Sequence, residues 1–152
     1  MLEENLIESL RSDHRDLGRY VTEVENAAGI TEALTSFIKL KDAVETHFKA
    51  EEASVYNRCR EENDDTLPEL VKSGERDHAD IKQVLWSMGS GETQSPGWKE
   101  KVRDLKSKVE NYSAREERDL FPQLTKIFNE KQMDKIRREY VSFSQGPQVK
   151  AA

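Results

Sequence analysis

Two segments, HFKAE at 47–51 and YSARE at 112–116, repeat one frame 65 residues apart. In each, a ring that can hydrogen-bond stands four residues before a glutamate, and on an α-helix that spacing puts both on one face. A second pair repeats at nearly the same interval: SDHRDL around His14 matches RDHADI around His78, 64 residues on. All of these positions fall where leucine or valine would fill an ordinary amphipathic stripe. The chain must therefore fold so that two copies of one helical hairpin bury their ionisable residues. A carboxylate buried without a partner is costly, and no lysine or arginine shares either stripe nearby. A cation held between the helices would supply the missing charge.

The rest of the chain agrees with a helical reading. Leu6, Leu10, His14, Leu17, Val21 and Val24 recur at spacings of three and four, and Leu34, Phe37, Val44, His47, Glu51 and Val55 form a second stripe. Leu67, Val71, His78, Ile81, Leu85 and Met88 form a third, and Trp98, Val102, Leu105, Val109, Tyr112, Glu116 and Leu120 a fourth. Thr31 reads as the N-cap of the second helix, Thr66 with Glu69 as a capping box, and Asn129 with Gln132 as another. The last opens a shorter helix presenting Met133, Ile136 and Tyr140, while Pro122 should kink the fourth. GSGETQSPG at 89–97 is the clearest loop. The expected fold is all-α: an antiparallel up-down-up-down four-helix bundle over residues 1–145, with a short fifth C-terminal helix and a flexible tail at 146–152. That fifth helix would cap the bundle or pair with a second subunit, so the expected state is a monomer or weak homodimer.

Charge narrows the partners. A net charge of −6 with no basic cluster argues against nucleic acid or an anionic membrane. No run approaches the roughly 20 apolar residues of a membrane span, and the opening MLEENLIESLRSD lacks the pattern of a secretory signal. The expected compartment is the cytoplasm. The single cysteine, Cys59, excludes an internal disulfide and a cysteine-rich metal site; it reads as a bystander. Tyr20, Trp86 and Trp98 read as core or rim packing, and the Glu117-Arg118-Asp119 run as a solvated face.

A lone His-x-x-x-Glu occurs by chance on solvated helices, but here all three histidines of the chain fall on the duplicated pattern. At roughly 1.5 Å per residue from the connecting loops, the two positions of each hairpin lie within about a turn of one level. His14, His47, Glu51, His78, Tyr112 and Glu116 are therefore expected to converge at mid-bundle. Imidazole and carboxylate without thiolate suit iron, manganese or zinc, and a phenolate favours iron(III). Asp13, Asp77, Asp16 and Asp80 flank the two lone histidines and are candidates to orient their rings, with solvated helix charges as the other reading.

With DHRDL, HFKAEE, DHADI and REERDLFP, the chain resembles the hemerythrin-like (HHE cation-binding) family over about residues 5–125. The resemblance implies a four-helix bundle around a non-haem site of two iron ions, oxo- or hydroxo-bridged. By position, His14, His47, His78 and Tyr112 would be terminal ligands, and Glu51 and Glu116 the bridges. Tyr112 departs from the family pattern, which has histidine there. It ligates as phenolate, or stands back, or yields to a nearby group such as Tyr56. Tyr56 lies five residues past Glu51, roughly 140° around an ideal helix, which favours Tyr112.

The oxygen-carrying members of the family have a fifth histidine, and this chain has none to spare. Both irons would keep an open position, and a phenolate works against the diferrous state that reversible oxygen binding needs. The resemblance therefore points to reaction with hydrogen peroxide or nitric oxide, catalase-like or peroxidase-like. The alternative is a carrier or sensor of oxygen, nitric oxide or iron, or an iron-centre repair protein; sensing would need a partner to carry the output.

Overall fold

A computed structural model of the chain describes residues 5–89, 93 and 96–145. The elements are α1 (Leu6–Glu25), α2 (Ile30–Glu51), a first π-helical turn (Glu52–Tyr56), α3 (Asn57–Glu61) and α4 (Leu67–Ser87). After the connecting loop come α5 (Trp98–Arg115), a second π-helical turn (Glu116–Leu120), α6 (Phe121–Ile127) and α7 (Glu130–Ser144). Each π turn runs directly on from the helix before it and into the next, so α2 to α3 and α5 to α6 are single long rods. α1 packs on α2 and α5, and α4 packs on α5 and α2, which closes the expected four-rod bundle. No strand occurs among the described residues, and none of their helices is long and apolar enough to cross a membrane.

The termini follow capping chemistry, with two changes from the sequence reading. Asn129 and Gln132 exchange side-chain bonds with each other's backbone as expected, and Asn5 with Glu8 does the same at α1. Gly29, not Thr31, is the N-cap of α2, because the helix starts two residues earlier, at Ile30. Thr66 sits at the α4 N-cap in helical backbone and makes no side-chain cap. Asp64 does that work, its Oδ2 accepting from the backbone N–H of Thr66 and Leu67 at 3.0 Å. Most of the 89–97 loop and the expected tail at 146–152 lie outside the described residues.

Two apolar clusters fill the bundle, one at each end. Leu17, Phe37, Leu40, Ile81, Leu85 and Leu105 belong to the first, and Leu6, Leu10, Val71, Leu120, Leu124 and Ile136 to the second. Between them lies a polar layer holding His14, His47, Glu51, His78 and Glu116. The fifth helix of the sequence reading, α7, caps the bundle: it packs on α2, on the first π turn and on α1, and buries Ile136 and Tyr140. Trp98 is core, stacked edge-on to Phe37 at 5.3 Å, whereas Trp86 is 70% exposed, with Lys41 over its ring, and belongs to neither core nor rim.

Candidate metal centre

All six residues singled out by the repeat meet in this layer, none more than 4% exposed. One potential ligand atom from each of His14, His47, Glu51 and Glu116 lies within 4.8 Å of all the others. His78 joins from α4, with Nε2 3.0 Å from Glu51 Oε1, while His14 Nε2 is 3.2 Å from Glu116 Oε1. The two contacts are equivalents under the repeat: each lone histidine faces the glutamate of the other hairpin. The Tyr112 hydroxyl donates to Glu51 Oε1 at 2.7 Å and lies 2.9 Å from His47 Nε2.

Tyr56 is also in the centre, against the argument from ideal helix geometry. The first π turn follows Glu51 directly, and its wider i→i+5 bonding swings the residue five along back over the glutamate. The Tyr56 hydroxyl donates to Glu116 Oε2 at 2.6 Å and lies 3.4 Å from His78 Nε2, with its ring stacked on the imidazole. The second π turn begins at Glu116 and brings Phe121 over His14 in the same way, 5.7 Å between ring centres. Tyr56 and Phe121 are thus 65 residues apart and equivalent. The larger tyrosine needs room, and Gly74 supplies it. A Cβ on Gly74 would stand 2.6 Å from Tyr56 Cζ and closer still to the hydroxyl, whereas the equivalent residue of the first hairpin is Leu10. A glycine inside a helical stripe, one turn before His78, was the available signal.

The outer nitrogens of the histidines are held as well, though mostly not by the expected aspartates. Glu52 Oε2 stands 3.1 Å from His78 Nδ1 and Glu117 Oε2 stands 3.4 Å from His14 Nδ1, again equivalents under the repeat. Carboxylates at Nδ1 fix the ring so that Nε2 faces inward. Glu117 is therefore not a plain solvated residue. Of the four aspartates, Asp13 alone takes such a place: it accepts from the Tyr140 hydroxyl, which is 2.6 Å from His47 Nδ1. Asp77 instead pairs with Arg115 at 2.6 Å and Asp16 with Arg19 at 3.2 Å, both outside the centre. For Asp80 the reading as a solvated helix charge stands, since it is exposed.

Without a cation, protons hold the layer together. Burial acts to raise the Glu51 carboxyl, but the hydrogen bond from His78 and the charge of the nearby imidazoles outweigh it and hold it well below the usual range. Burial and the Glu51 charge drive Glu116 the other way, well above that range. Burial also acts to lower His78, yet its bonds to Glu51 and Glu52 prevail and push it up to about 9. Burial lowers His14. The two glutamates titrate as a pair, with Glu51 the more acidic and Glu116 the less. Tyr56 and Tyr112 are both raised, by burial first and then by the two glutamates.

The residues fit a metal. Glu51 Oε2 is buried with no hydrogen-bond partner, an orphan that a cation would satisfy. The donors are imidazole, carboxylate and phenol oxygens, a hard to borderline set suited to iron. Burial pushes the Cys59 thiol up to about 12, which keeps it protonated in the apolar cluster, as expected of a bystander.

Compared with curated proteins and with solved structures, the chain gives no match. The model of the hemerythrin HHE cation-binding domain matches residues 5–124, most of the chain. The protein belongs to the hemerythrin HHE cation-binding domain family.

Proposed function

We propose that the protein holds two iron ions in this layer and reacts with hydrogen peroxide or nitric oxide, as a catalase-like or peroxidase-like protein. The observation that carries the reading is the buried, duplicated ring of imidazoles and carboxylates with one orphan oxygen, a costly arrangement for a bundle with no cation to hold. Glu51 and Glu116, with His14, His47, His78 and Tyr112, are the residues that would hold the ions. Iron bound there would supply Lewis acidity and a redox couple.

The chain's own residues do the rest. Glu52, Glu117 and the Asp13–Tyr140 pair turn the three imidazoles so that Nε2 points inward. The apolar clusters above and below shield the layer from bulk water. With every histidine of the chain already used, no further imidazole closes the set, which leaves room for an exogenous ligand. The Tyr56 and Tyr112 oxygens lie against the carboxylates, at 2.6 and 2.7 Å.

The reading is tested by metal analysis and a visible spectrum of the purified protein, followed by addition of hydrogen peroxide. Two irons per chain are expected, with a phenolate-to-iron band and oxygen evolution that is lost in Glu51→Ala and His47→Ala. Iron without turnover would favour the carrier, sensor or repair reading. A protein that takes up no iron even on anaerobic reconstitution would refute the centre.

A further inference from the structure

The two hairpins are equivalent in frame, and their differences within the polar layer fall together. His47 of the first hairpin is Tyr112 in the second, and Phe121 of the second is Tyr56 in the first. Both phenols reach His78. The Tyr112 oxygen is 3.3 Å and the Tyr56 oxygen 3.4 Å from His78 Nε2. At the opposite end His14 meets the His47 ring at 5.3 Å and is stacked on Phe121, which has no oxygen to offer. Tyr112 also reaches His47, so Tyr56, whose hydroxyl contacts Glu116 and His78, carries most of the asymmetry. Gly74 in place of an equivalent leucine shows that the packing accommodates that phenol.

Resting on the proposed two-metal centre, we propose that its two positions take unlike cations: iron(III) at the His78–Tyr56 end, and a divalent cation, iron(II) or zinc(II), at the His14–His47 end, with Tyr112 between them. Glu51 and Glu116 serve both ends, so the difference between them lies in the remaining donors. The Tyr56 phenol can add a negative charge at one end that Phe121 cannot match at the other, and charged hard oxygen donors favour a trivalent ion. Apart from Tyr112, which reaches both ends, the other end adds imidazoles, which suit a divalent ion.

The test uses metal-free full-length chain supplied with iron(III) citrate and zinc(II), zinc in large excess, then desalted and analysed for metals and visible absorption. About one iron and about one zinc per chain are expected, with the phenolate-to-iron(III) band at full intensity, since zinc competes for one end alone. Tyr56→Phe should shift the band, and Tyr56→Phe with Tyr112→Phe should abolish it and let zinc fill both positions. Phenylalanine keeps each ring, and circular dichroism checks the fold; if the double variant does not fold, Tyr56→Phe decides. Zinc displacing iron from both positions, zinc excluded altogether, or a band unmoved by Tyr56→Phe would overturn the assignment. A chain that binds no metal from any mixture would instead refute the two-metal centre itself, and this proposal with it.

Discussion

Gly74→Ala should destabilise the bundle, although the same exchange in a helix interior normally stabilises by about 1 kcal/mol. Gly74 sits inside α4, one turn before His78, and an added Cβ would stand 2.6 Å from Tyr56 Cζ. Tyr56 cannot retreat, because it is fully buried, stacked on His78 and bonded to Glu116. Overpacking of this kind costs about 1–3 kcal/mol, and pulling the hydroxyl from Glu116 costs about 1–3 kcal/mol more. Set against the propensity gain, the net loss is about 3 kcal/mol, or about 6–12 °C in Tm for a domain of this size. Thermal or urea denaturation of the metal-free protein reads it. Gly18→Ala on α1 is the control, since a Cβ there meets nothing within 4 Å; it should be neutral or stabilising. In a Tyr56→Ala background the Gly74→Ala penalty should disappear. A Gly74→Ala protein as stable as the parent would refute the account of Gly74 as the space that admits Tyr56.

Tyr140→Phe removes the contact with His47 Nδ1 and the bond to Asp13, and should loosen metal binding about 10–100-fold, as loss of an outer partner of a metal ligand does. Competition with a chelator measures it, and unchanged affinity would exclude a positioning role for α7. In the metal-free protein, His78 is raised to about 9 from an ordinary 6.5, so its stabilisation is complete below pH 6.5 and lost as pH rises towards 9. The raised Glu116 carboxyl acts in the same direction, while the lowered Glu51, Glu52 and Asp13 lose their contribution on acidification. The Tm of chelated protein should therefore fall between pH 6.5 and 9. Metal-loaded protein should gain over it across the same range, because binding displaces those protons; a parallel pH dependence with and without metal would contradict the proton arrangement.

The stripes of apolar residues at spacings of three and four are local, and a hydrophobic face at that period can be buried in few ways, so the four rods and their core were legible in the sequence. The same holds for the convergence of the six repeated residues, since helix rise and loop position set depth along a rod. The Asn129–Gln132 cap was legible because its partners are three residues apart. What was not legible depended on departures from ideal helix geometry or on contacts between distant segments. Tyr56 enters the centre because a π turn changes the phase of the helix after Glu51, and periodicity arithmetic assumes that phase is constant. Glu52 and Glu117 look like surface charges in their own helices and become partners of His78 and His14 only across the bundle. Tyr140 reaches His47 from 93 residues away, through a helix whose docking no local signal dictates. The sequence alone determined the apolar faces of the rods and the depth of the repeated polar residues; the tertiary structure decided which atoms face one another, because that depends on helix phase and inter-rod packing rather than on spacing along the chain.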